Sequence, residues 1–187
     1  MRSIVGSPVV SQTEAMSAAP ESTPSNPLPA DRPPEIYQGL TFDEQPIGTR
    51  WRTARRTISE TDLITYATMF GFNEALFLDA TASEKAGFDG RLVPGSLVMS
   101  VAEGLIVSGG SLKGTGLAYL GAQVDVKGPT YVGDTLEIWA EVVEARLTSR
   151  GDRGVVTTRN DVYNQHGKIV MVYTPSRMVL SQRSPEL

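Results

Sequence analysis

The chain has 187 residues, 40% hydrophobic and 20% charged, with a formal net charge of −4. This suits one domain with a substantial core, and an acidic balance without a basic patch argues against a nucleic-acid partner. Cysteine is absent and histidine occurs once, as His166, which excludes disulfides and thiolate chemistry and leaves a single imidazole for any nucleophile–base arrangement. A metal centre would need mainly carboxylates, so none is expected. The absence of cysteine fits a reducing, cytoplasmic setting, and no apolar run is long enough to cross a bilayer.

Residues 1–36 are rich in Pro, Ser, Ala and Thr. Such a segment cannot bury enough surface to offset its ordering entropy, so it reads as a disordered tail. Met16, at "MSAAPES", offers a second start within it. Residues 37–181 form the expected domain, and 182–187 a short C-terminal tail. "GTRWRTARRTISETDLITYATMFG" reads as a strand followed by a helix. Ser59 stands at the N-cap with Asp62 three residues on, a near capping box. Leu63, Ile64, Ala67 and Phe70 recur at helical spacing and Gly71 supplies the stop. A short helix is expected at "TASEKAG", starting at Thr81 or Ser83 and ending at Gly87.

"PGSLVMSVAEGLIVSGG" predicts a second helix, apolar nearly all round and therefore interior. Ser96, Ser100 and Glu103 share one of its faces. Such a stripe has two readings, a pocket or subunit seam, or a helix edge in solvent. From Gly114 the period becomes two, and four long strands follow, separated by "TYVG", "RGDR" and "QHG" turns. Leu136, Ile138, Ala140 and Val142 alternate with Glu137, Trp139, Glu141 and Val143, as in a half-buried antiparallel strand. The architecture implied is α+β, one antiparallel sheet curled around the buried helix. "GGSLKGTG" lacks the spacing of a phosphate-binding loop.

"RTISETDLITYA", "GFNEALFLD", "GRLVPGSLVMSVAEGL", "YLGAQVDVKGPTYVGDTLEIWAEVVEAR" and "VYNQHGKIV" follow one another in this order. Together they resemble the MaoC-like dehydratase family, the (R)-specific enoyl-CoA hydratases of the hot-dog fold. The resemblance covers about Tyr37 to Val179. It implies an antiparallel sheet wrapped around a central helix from Gly95, a homodimer, and a tunnel for an acyl-CoA or acyl-carrier thioester near the subunit interface. It implies no cofactor beyond that thioester substrate. The family loop reads roughly G-D-x-N-P-x-H-x-D, followed by R-x-x-H-G-x-x-x-x-S. Here Gly71, Asp79, Arg91, Gly95 and Ser100 match, while Phe72 replaces the Asp, Glu74 the Asn, Ala75 the Pro, Phe77 the His and Pro94 the later His. A one-residue shift puts Asn73 on the family Asn and restores neither catalytic group. His166 falls in a hairpin turn away from the helix.

Hydration of an enoyl thioester needs activated water, a proton for the α-carbon and a stabilised enolate oxygen. Phenylalanine handles no protons, and each lost acid or base typically removes about 10²–10⁴-fold in rate. The electrostatic half of the site remains in the Gly95 N–H at the helix start, with Ser100 one turn further to orient water or thioester. Glu74, Asp79 and Glu103 are the replacement acid–base candidates. Burial beside the phenylalanines would raise a carboxylate pKa, the alternative being a solvated Glu74 and a helix-capping Asp79. Phe72 and Phe77 either line an acyl tunnel or plug the vacated site. Asn73, Pro94 and Ser96 are further binding candidates, and Arg91 is either a partner for CoA phosphates or an exposed loop charge. Three functions follow: a hydratase or dehydratase with a non-standard acid–base set, a noncatalytic acyl-CoA-binding subunit beside an active MaoC-like chain, and a hot-dog thioesterase.

Overall fold

A computed structural model describes residues 29, 31–36 and 39–184. Its elements are β1 (Arg50–Arg52), β2 (Arg56–Thr57), α1 (Glu60–Phe70), α2 (Ala75–Leu78), α3 (Ala82–Lys85) and α4 (Gly95–Ser108), then β3 (Gly116–Val126), β4 (Thr135–Leu147), β5 (Arg153–Tyr163) and β6 (Ile169–Leu180). α1 begins where its capping chemistry directs: Ser59 Oγ accepts the Asp62 N–H at 3.2 Å, and Asp62 Oδ2 accepts the Ser59 N–H at 2.8 Å. It ends at Gly71, left-handed at φ 74°. The single strand expected before α1 is broken into β1 and β2, both paired with β4. The one-turn helix α2 was not anticipated, and α3 starts after Thr81.

All strand pairs are antiparallel, in the order β1-β4-β5-β6-β3, with β2 also on β4. The sheet folds around α4, whose Leu97, Val98, Val101, Ala102, Leu105 and Ile106 are buried. They join Leu136, Ile138, Val156, Val162 and Val170 from the strands in one core. Each buried Val, Leu or Ile of this set contributes about 1.5–3 kcal/mol, so enclosure of α4 is a large stabilising term.

The two most distinctive strand-end motifs form one clasp. Gln165, in the turn after β5, donates to Asp134 Oδ1 at 2.8 Å and accepts the Thr135 N–H at 2.9 Å. Asp134 Oδ2 accepts the Tyr131 N–H at 2.8 Å, and Asn164 Oδ1 accepts the His166 and Lys168 amides at 3.1 Å. The residue types in "GDT" and "NQHG" are therefore those that satisfy turn amides side by side. Phe42, in a short 3₁₀ turn at Phe42–Glu44, lies flat over Gly154, where any Cβ would overlap its ring.

β4 departs from simple alternation. Glu137 and Trp139, expected to face solvent, are 1% and 6% exposed. Their cover comes from the N-terminal segment. Residues 1–28 and 30 of the expected tail lie outside the described residues, but Pro34 accepts the Arg52 N–H at 2.9 Å and Glu35 bridges to Arg52 in parallel along β1. Arg32 chelates Glu137 with both ends of its guanidinium fork, Nε to Oε1 at 2.7 Å and Nη2 to Oε2. Trp139 Nε1 donates to Glu137 Oε1 at 2.7 Å. A carboxylate can be buried here because its lone pairs are met by charged and neutral donors. At the other terminus the Gln182 amide bonds Asp43 Oδ2 at 2.7 Å, and residues 185–187 lie outside the described residues.

Burial pushes the Glu137 carboxyl up, but its hydrogen bonds from Arg32 and Trp139 and the charges of Arg32 and Arg52 together bring it below the usual carboxylate range. A folded-state pKa below the unfolded one stabilises the protein above the unfolded value, about 4.3, and this contribution disappears as pH falls through the folded value. Glu137→Gln should therefore cost about 1–3 kcal/mol at neutral pH, with the gap to wild type closing in acid. Urea midpoints between pH 3 and pH 7 measure this.

Candidate active site

α4 opens on Pro94, whose backbone (φ −56°, ψ 136°) is extended. The Pro94 carbonyl accepts from Leu97 at 2.9 Å and Val98 at 3.1 Å. The amides of Gly95 and Ser96 are thus the leading N–H groups of the helix, without intrahelical acceptors and at its positive end. Val93 is held by its amide to the Thr130 carbonyl at 2.9 Å. Leu92 is held by its amide to the buried Ser83 Oγ at 3.2 Å, and Ser83 Oγ donates in turn to the Leu76 carbonyl at 3.3 Å. One hydroxyl thereby ties α2, α3 and the entry to α4 together.

Beside this helix start lies a cavity of about 300 Å³, with Phe77, Val93, Pro94, Gly95, Val98 and Val126 in its walls. Gly95 matters for access, since a Cβ there would lie 3.3 Å from Val126 Cγ2. Apart from Thr130, the lining residues are apolar or glycine, and among the described residues no carboxylate or imidazole lines the cavity. It can hold an apolar chain against a backbone donor.

Of the two roles considered for the phenylalanines, Phe77 takes the wall of an open cavity. Phe72 meets it edge-on, its ring centroid 6.1 Å from Phe77, and lies 5.3 Å from the tilted Tyr66 ring. Pro94 and Gly95 line the cavity, while Asn73, Ser96 and Ser100 are exposed and do not. Ser100 Oγ donates to the Ser96 carbonyl at 2.8 Å, which occupies its proton within the helix. Glu74 is exposed at the start of α2 rather than buried beside the phenylalanines, and does not line the cavity. Asp79 is also exposed and accepts the Thr81 N–H at 2.8 Å and hydroxyl at 2.9 Å. Those bonds, the backbone one first, hold its carboxyl below the usual range, as suits a turn cap. Arg91 is an internal tie: its Nε meets both Glu60 oxygens at 2.7 and 2.8 Å, and its side chain is only 14% exposed. His166 is exposed in its turn, its Nε2 3.0 Å from Gln165 Nε2.

Glu103 belongs to a second cleft of about 290 Å³ between α4 and β3, with Val107, Leu117, Tyr119, Arg177 and Met178. Arg177, 5% exposed, grips the Glu103 carboxylate at 2.8 and 2.6 Å and reaches Thr158 Oγ1 at 3.3 Å. Its guanidinium carbon lies 5.7 Å from the Tyr119 ring centre, a cation–π contact. Burial, then the Glu103 charge, push the Tyr119 phenol up, with Arg177 opposing. Sequence reading missed Arg177, although its position was a signal: "VYTPSRMV" places Arg177 in step with inward-facing Tyr173.

The chain is similar to proteins that place the site in context. It is 29% identical over 125 residues to an (R)-specific enoyl-CoA hydratase from Aeromonas caviae, covering 67% of this chain and 88% of that protein. The solved structure of a MaoC-like dehydratase from Rhodospirillum rubrum superposes with a TM-score of 0.68 at 25% identity, covering 77% of this chain and 99% of that one. A Mycobacterium tuberculosis protein with a double hot-dog fold, 22% identical, shares the fold at a TM-score of 0.68, over 78% of this chain and 45% of that one. The model of the MaoC-like domain matches residues 35–165, well over half of the sequence. The chain belongs to the MaoC-like domain family and has its hot-dog architecture.

Proposed function

We propose that this chain is an acyl-thioester hydratase or dehydratase. The apolar cavity receives the acyl portion, and the Gly95 amide receives the thioester oxygen. One observation carries the reading: the unpaired start of α4 opens directly into an apolar cavity that Phe77 walls without filling. As charge moves onto the thioester oxygen, an N–H at a helix start stabilises it without reorganising. The volume sits at the lower end of ligand pockets, about 300–1,000 Å³. The similarity to an enoyl-CoA hydratase supports the reaction class. A homodimer working in a reducing cytoplasm is in keeping with this reading.

The lack of a carboxylate or imidazole among the described lining residues favours a second reading, in which the chain binds the thioester without turning it over. Purified protein offered trans-2-enoyl-CoA esters separates the two. We expect loss of the conjugated thioester absorbance with formation of 3-hydroxyacyl-CoA. Saturable binding without turnover would favour the binding subunit, and release of free CoA would indicate a thioesterase.

Gly95→Pro tests the oxyanion role when compared with Gly95→Ala, since both put a Cβ close to Val126 and only proline removes the N–H. Proline at the first helical position fits the helix, and the extended Pro94 backbone accepts a following proline. The proline variant should lose about 10²–10³-fold in kcat relative to the alanine variant. A folded variant with wild-type kcat would remove Gly95 from the mechanism.

A further inference from the structure

We infer that Met171 closes the inner end of the Gly95 cavity and sets the acyl class it admits, a short apolar chain whose length is limited by the Met171 thioether. The inference rests on the acyl-thioester reading of that cavity.

The cavity has a direction. Its lining runs from Val126, 62% exposed, to Val98, Val170 and Met171, each at most 2% exposed. Gly95 stands beside the exposed end, since a Cβ on it would lie 3.3 Å from Val126 Cγ2. A thioester held at Gly95 by its oxygen therefore leaves its carrier toward solvent and sends its acyl tail toward the buried end.

Strand register fixes what the tail meets there. Met171 on β6 lies opposite Val126 on β3 and opposite Val162 on β5, and residues paired in this way point to the same face of a sheet. The three form one row beneath α4, running inward from the edge strand at about 4.8 Å per strand. Val126 and Met171 line the cavity and Val162 does not, so the row is open at the edge and shut behind Met171. Val98, one turn into α4 from Gly95, is the facing wall. The neighbouring row, Val124, Tyr173 and Asn160, offers no detour. Tyr173 and Asn160 are both 0% exposed, and their hydroxyl and amide approach each other without reaching hydrogen-bonding geometry. An alkyl tail pushed among such atoms would satisfy none of them. Of the buried lining residues, Val98 and Val170 are β-branched and stiff. Met171 is unbranched, with a thioether that adapts to small differences in what it touches.

Saturated acyl-CoA esters from butanoyl to decanoyl, which carry no double bond to hydrate and no 3-hydroxyl to lose, are titrated calorimetrically into the full chain. Affinity should rise about fourfold per methylene up to a limit and fall beyond it. Met171→Ala should move that limit outward by about two methylenes, the length of the thioether removed, and Met171→Phe should move it inward. Val162→Ala truncates the same row without touching the cavity, so it should lower the thermal midpoint and leave the limit in place. A limit that ignores both Met171 variants, or that Val162→Ala moves as far, would overturn Met171 as the floor while leaving the acyl-thioester reading intact. Wild-type affinity that climbs unbroken to decanoyl would do the same. If the alanine variant does not fold, Met171→Val replaces it, with an expected shift of about one methylene. A Met171-dependent limit without turnover of the matching enoyl esters would support the floor and favour the binding subunit. No binding at any length would overturn the acyl-thioester reading and this inference together.

Discussion

A helix that is apolar on nearly every side can be stable in water only when something encloses it, and α4 sets that demand for the whole domain. The long strands answer it by folding around Leu97, Val98, Val101, Ala102, Leu105 and Ile106. Burial of this kind leaves a helix few places to present polar groups. The exceptions are its ends, where backbone groups have no intrahelical partner, and any face the sheet fails to reach. Here the first exception gives the Gly95 amide beside a cavity, and the second gives the strip carrying Ser96, Ser100 and Glu103. Both candidate chemical features of the protein are thus by-products of enclosing one oily cylinder.

Two glutamates show how charge is accommodated at the margins of that core. Glu137 sits on the outer side of β4 under the N-terminal segment, and Glu103 sits on the rim of the α4–β3 cleft. Each is held by an arginine: Arg32 gives Nε and Nη2 to separate Glu137 oxygens, and Arg177 Nη2 reaches both Glu103 oxygens with Nε alongside, charge-assisted contacts that offset desolvation of a carboxylate. Their positions separate their roles. Glu137 is sealed and its pair is structural, while Glu103 keeps one side toward an open cleft and can meet another molecule.

Much of this was legible in the residues. Ser59, Asp62 and Gly71 mark α1 because capping and left-handed turns have narrow chemical solutions. "GDT" and "NQHG" marked strand ends because turn amides need side-chain partners, and the structure joins them through Gln165. The failures have two causes, cover that arrives from elsewhere in the chain and neighbours in sequence that part in space. Glu137 and Trp139 read as solvent-facing because residues 31–36, judged by composition, read as disordered. Glu74 read as a candidate buried acid because proximity in sequence to Phe72 and Phe77 was taken for proximity in space. α2 instead turns Phe77 toward the cavity and leaves Glu74 outside.

The stacking of Phe42 over Gly154 has a bearing on how relatives diverge. A ring and a missing side chain, far apart along the polypeptide, fill a single volume between them, so neither can drift alone. Wherever a related protein enlarges the position equivalent to 154, its counterpart of Phe42 must shrink or swing aside. That paired change, traced through a set of homologues, would mark which lineages keep the first turn of the domain pinned to the sheet.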